Sequence, residues 1–102
     1  MEDIREIIRA TNTRDRDDVE RAKERIREII IAKVDFIRGL AKMCEVDAKV
    51  IISAVLESDF AIARKLCDVV IQEAKDIVAK GTELRRDIDE VEHFLEPFKK
   101  KE

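Results

Sequence analysis

The stretch IREIIIAKVDFIRGLAKMC, residues 26–44, constrains this chain more than any other part of it. Its apolar residues recur at helical spacing, yet they fill more than one stripe. At roughly 100° per residue, Val19, Ala22, Ile26, Ile29, Ile30, Ile37, Leu40 and Cys44 form the main stripe of a helix over about 15–44. Ala32, Phe36 and Met43 widen the stripe on one flank, Val34 and Ala41 on the other, so the apolar arc spans half the circumference or more. Ile31 falls outside even that arc. Two neighbours are needed to cover it, which makes this helix the expected centre of the domain.

The remaining segments read the same way. The chain is 45% apolar and 44% charged, with two Gly, one Pro and single Asn, Gln and His residues. That alphabet is helical, because Glu, Lys, Arg, Ala, Leu and Ile tolerate helical rotamers. The expected fold is all-α: a compact, bundle-like single domain over 1–102, of about five helices joined by short loops. The first covers about 2–11 with Ile4, Ile7 and Ile8 on one face. Thr11-Asn12-Thr13 then favours a turn. The second helix ends at a turn over Cys44-Glu45-Val46-Asp47, and a third covers 48–57. Glu57-Ser58-Asp59 is either a break or part of a helix that continues to 80, leaving four helices. The break is favoured, because Asp59 would otherwise lie on an apolar stripe between Val55 and Ile62. Gly81-Thr82 reads as a stop and a cap. A last helix over about 83–96 carries Leu84, Ile88, Val91 and Leu95, with Pro97 at or beyond its end.

Helix three is as apolar as helix two, with Val50, Ile51, Ile52, Ala54, Val55 and Leu56 leaving only Lys49, Ser53 and Glu57 as a polar edge. Either helices one and five cover these flanks, which is the favoured reading, or Ile31, Val34, Ile52 and Leu56 belong to an interface. Two charges also stand on apolar stripes: Lys33 between Ile30 and Ile37, and Glu73 between Val70 and Ile77. A buried charge costs several kcal/mol unless paired. Lys33 is expected to lay its methylenes on the core and reach water with its ammonium. The second reading is an interhelical pair with Glu73. If the chain turned back at 45–47 as one hairpin, Asp59 would lie nearer the level of Lys33.

Few chemistries fit. Glu90-x-x-His93 has the spacing of a di-iron ligand pair, but His93 points away from the face defined by Leu84, Ile88, Val91 and Leu95, and it is the sole histidine. There is no Gly-rich phosphate loop and no set of residues for nucleophilic catalysis. Cys44 and Cys67 sit among apolar neighbours without metal or redox spacing and are expected as buried free thiols. The net charge of −3 gathers no basic face for nucleic acid, and Lys99, Lys100 and Lys101 read as a solubilising tail. No apolar run approaches the ~20 residues of a membrane span. A soluble cytoplasmic protein is expected, without catalytic activity, metal, cofactor or small-molecule ligand. A monomer is favoured over a homo-oligomer.

The short loops, the cap-and-charge pattern of RDRDDVERAKERIREII and the Ile/Leu/Val/Ala core resemble those of computationally designed helical proteins. Thermostable natural proteins share much of this composition, while Met43, both cysteines, Lys33 and Glu73 depart from a strict design recipe. That resemblance implies a stable all-α scaffold whose fold is its purpose. The alternative is a protein-interaction or self-association module using the wide apolar surface of helices two and three.

Overall fold

The computed structural model describes residues 3–99, which are helical apart from two short connections. Helix α1 spans Ile4–Ala10, α2 spans Arg16–Leu56 and α3 spans Phe60–Lys99. The all-α expectation holds, but these are three helices rather than five. The expected start at residue 2 and the Lys100 and Lys101 part of the basic tail lie outside the described residues.

Two of the expected breaks are absent for a local reason. Cys44-Glu45-Val46-Asp47 contains no residue that disfavours helical backbone strongly, so α2 runs through it. Gly81 has no positive φ and continues α3 as an ordinary helical residue. A mid-helix glycine costs about 1 kcal/mol relative to alanine, too little to stop a helix whose flanking turns are packed. Pro97 also lies inside α3, in its last turn, where the missing N–H removes a single hydrogen bond.

The break at Glu57-Ser58-Asp59 is real. Ser58 takes φ 61, the Asp59 N–H donates back to the Ala54 carbonyl at 2.8 Å, and the Ile62 N–H donates to Asp59 Oδ1 at 3.3 Å. Asp59 thus caps α3, which removes it from the apolar stripe. At the other connection Asn12 Oδ1 accepts from the Arg14 N–H and Asp15 Oδ1 from the Asp17 N–H. Asp17 and Asp18 then occupy the first turn of α2, where the helix dipole favours negative charge.

Contacts divide the chain into two units, Met1–Lys33 with Thr82–Glu102, and Val34–Gly81. The first has a three-helix core of Ile4, Ile7, Val19, Ala22, Ile26 and Phe94, flanked by Ile8, Ile29, Ile30, Val91, Leu95 and Phe98. The Phe94 and Phe98 rings meet edge to face, 6.0 Å between centroids. Arg5 ties α1 to Glu90 on α3 at 3.3 Å. The second unit contains only α2 and α3, running antiparallel from the Ser58 turn. Among its residues only Ala54, Ala63 and Glu73 are buried.

Candidate interaction surface and the charges beside it

Burial picks out the seam residues of each helix at alternating spacings of four and three. On α2 in the second unit they are Ile37, Leu40, Cys44, Asp47, Ile51 and Ala54; on α3 they are Ala63, Leu66, Val70, Glu73 and Ile77. This is the pattern of a helix pair with a continuous hydrophobic seam. The same spacing reaches Leu84, Asp87, Val91 and Phe94 in the first unit. Ile88, assigned to the buried face from sequence, is 50% exposed. The shift follows from the absence of a break at Gly81, since an unbroken helix carries its phase through.

The two flanks of the seam differ between the units. One flank of α2 carries Ala22 and Ile29, then Phe36, Met43 and Val50, each seven residues after the last. In the first unit α1 covers this flank, burying Ala22 and packing Ile29 against the core. In the second unit the same flank is uncovered among the described residues, leaving Phe36, Met43 and Val50 exposed beside the seam, as are Ile62 and Val69 on α3. On the other flank, Arg27 and Leu95 line a groove of the first unit with Lys23, Ile26, Ile30, Ile31 and Val91. Continuing the seven-residue spacing from Arg27 and Leu95 gives Val34, Ala41, Ala48 and Val55 on α2 and Phe60, Cys67, Ala74 and Gly81 on α3 within the second unit. All are exposed except Gly81, which is half-buried.

All the large hydrophobic side chains left exposed among the described residues, save Ile31 and Ile88, fall within Val34–Gly81. Of the residues singled out from sequence, Val34, Ile52 and Leu56 are in this unit, and Leu56 is 80% exposed beside the turn. Ile31 is exposed too, but in the first unit, on the groove above. The reading that helices one and five cover both flanks therefore fails over Val34–Gly81. What was expected as helix one is only seven residues long and covers part of the first unit, while helix five is the continuation of α3.

Lys33 and Glu73, placed together as a candidate pair, do not meet. The Lys33 ammonium binds Asp87 and, at 2.9 Å, Glu83. Its side chain is 15% exposed and that of Asp87 10%, so neither the solvated-lysine reading nor the Asp59 alternative describes it. Burial disfavours the charge on Lys33, but the hydrogen bonds to Asp87 and Glu83 outweigh it and hold the pKa above its ordinary value. The pairing differs because the chain reverses at Ser58, not at 45–47 or 81, which brings 33 level with 83–87. Asp87 had a readable signal: it lies midway between Leu84 and Val91 at seam spacing.

Glu73 faces a different neighbourhood. Cys44 and Asp47 approach it from α2, and Asp76 acts on it from its own helix. Both of its carboxylate oxygens are buried with no hydrogen-bond donor. Cys44 is half-buried, and burial first, then the Glu73 carboxylate, push its thiol above the ordinary value. Cys67, expected to be buried, is exposed. Alkylation at neutral pH should therefore modify Cys67 several-fold faster than Cys44, as followed by peptide mass mapping. Equal rates would show that the seam around Cys44 opens readily.

His93 is exposed, and among the described residues no group of three or more His, Cys, Asp or Glu side chains is placed to hold a metal ion. Among them no helix is long and apolar enough to cross a membrane. Compared with protein-family models, curated proteins and solved structures, the chain matches none.

Proposed function

We propose that this chain is a self-association module, and that the Val34–Gly81 unit packs against the same unit of a second copy. The observation that carries this reading is the pair of uncovered apolar flanks on a two-helix layer. A helix pair buries one seam, and the stable solution for a second apolar face is another layer of helices. Two such hairpins face to face make a four-helix bundle, whose helices require apolar residues beyond a single seam.

Size and charge fit a second copy. A face two helices wide and about 30 Å long offers roughly 600 Å² per copy, hence about 1,200 Å² for the pair, at the lower edge of specific interfaces. Residues 34–81 carry seven Lys or Arg against eight Asp or Glu, so two copies do not repel strongly. Along the polar edge, Asp35 pairs with Arg38 and Glu45 with Lys49, leaving both signs at the rim.

Light scattering after size exclusion should give a mass that rises with concentration from the 11.8 kDa of one chain towards at least twice that value. Met43→Glu and Val50→Glu place charges on the uncovered flank without touching a buried residue. Each should weaken association by roughly a hundredfold or more, since an unpaired charge would be buried, while helix content stays unchanged. A constant single-chain mass at all concentrations would overturn the proposal and favour the inert scaffold.

A further inference from the structure

We propose that Glu73 keeps a proton in the folded second unit, where it faces Asp47, and that this proton makes the α2–α3 seam of that unit close more firmly in mild acid than at higher pH. Glu73 is 5% exposed at a seam position that Val70 and Ile77 mark as apolar on either side. Neither of its oxygens finds a donor. Across the seam stand the Cys44 thiol, a weak donor, and the Asp47 carboxylate, which can only accept, so a proton on Glu73 itself is what turns the approach of Asp47 from repulsion to attraction. Two carboxylates facing one another away from water cannot both ionise cheaply, and a proton on one of them removes the repulsion.

Asp87 is also buried, but Lys33 neutralises it. Among the groups facing Glu73, namely Asp47, Cys44 and Asp76, none is a cation. The neighbouring Asp47 carboxyl, burial and the Asp47 charge, in that order, raise the Glu73 pKa, and the nearby Cys44 thiol opposes them.

The sign of the effect follows from linkage. The folded pKa of Glu73 lies above its ordinary value of 4.5, so the stability it contributes is present below that value. It is lost as pH rises from there through the raised folded pKa. In that window the folded unit holds one proton more than the unfolded chain, and its unfolding constant should grow roughly tenfold per pH unit. Asp18, whose pKa the Arg21 hydrogen bond lowers, works in the opposite direction. Its contribution is lost only as pH falls below the ordinary carboxyl range, so the two windows do not overlap.

The test is a carbon-detected titration of the side-chain carboxyls in the full chain, with urea unfolding across the same pH range at one protein concentration. The titration should show Glu73 with a midpoint clearly above the ordinary carboxyl range. In Glu73→Gln, the tenfold-per-unit rise in the unfolding constant above pH 4.5 should disappear. Asp47→Asn supplies an amide donor and should bring the Glu73 midpoint down. A Glu73 midpoint in the ordinary range, or a pH dependence equal in wild type and Glu73→Gln, would overturn the proposal. Neither readout requires a second copy, so a monomeric mass would leave this inference intact, and a pH-independent dimer would leave the association reading intact.

Discussion

Lys33→Met should destabilise the first unit by about 3 kcal/mol, the lower end of what removing one partner from a buried ion pair costs. The lower end applies because the Lys33 side chain retains 15% exposure and Glu83 45%. The loss is not that of an attractive contact alone. Methionine fills most of the volume vacated by the lysine stem, but it leaves the Asp87 carboxylate, 10% exposed, inside an apolar seam without a counter-ion. Lys33→Met combined with Asp87→Leu should recover most of the stability, because apolar replacement of a whole buried pair is often neutral or favourable. Urea midpoints at fixed protein concentration measure both effects, provided the slope with denaturant stays constant. A cost below about 1 kcal/mol for Lys33→Met would show that the ammonium is solvated and the pair worth no more than a surface one. The wild-type pair should be insensitive to pH through neutrality. The Lys33 pKa is raised above 10.5, so its contribution is complete below that value and falls only as pH climbs through the raised folded value.

Ile7→Ala should cost about 3 kcal/mol, within the range for deleting a buried isoleucine side chain, and it should detach α1 as a unit. Ile7 is 1% exposed and Ile4 fully enclosed, and these two side chains anchor a helix of only seven residues. A segment of that length has no helical stability of its own, since isolated helices below about 12–15 residues are marginal in water. Its order therefore comes from docking, with help from the Thr11 hydroxyl, which donates to the Ile7 carbonyl at 2.6 Å, and from Arg5–Glu90. Hydrogen exchange over 4–10 should lose protection in Ile7→Ala, while Ile8→Ala, at a half-buried position, should leave most of it. If 4–10 stays protected, α1 is held by its polar contacts and not by its isoleucines. Detachment would also uncover Ala22 and Ile29.

The helical class, the stripe on α2 and the break at Ser58-Asp59 were all legible in the sequence, because each rests on local chemistry. Hydrophobic periodicity marks the seam from Val19 to Cys44, and the short side chain of Asp59 marks a cap. Helix continuity was less legible. Gly81-Thr82 and Glu45-Val46-Asp47 look like boundaries by composition, yet packing on either side outweighs the modest cost of helical backbone there. Each false boundary displaced a pairing. With helices bounded at 45–47 and 81, two long helices each carried one charge on an apolar stripe, and Lys33 and Glu73 looked like opposite charges in search of one another. With the reversal at Ser58 alone, Lys33 meets Asp87, and Glu73 meets another acid. The seam phase that identifies Asp87 can be counted from Leu66 and Val70 once α3 is unbroken. The charge on Glu73 was noticed, but like-charge pairing runs against the search for complementary partners. The exposed flank of Phe36, Met43 and Val50 was visible as excess apolar surface; the shortness of α1 shows that the described residues leave it bare.

The Ser58 turn sets the phase of everything that follows it. Each residue of a helix advances about 100° around its axis, so one residue added between Leu56 and Phe60 would rotate the whole face that α3 offers to α2. The error would not fade with distance, because neither helix contains a break at which it could be corrected. Lys33 would lose Asp87, and the carboxyl facing Asp47 would no longer be that of Glu73. A single serine at φ 61 therefore acts as an index mark, fixing which charges are neutralised and which acid faces another acid.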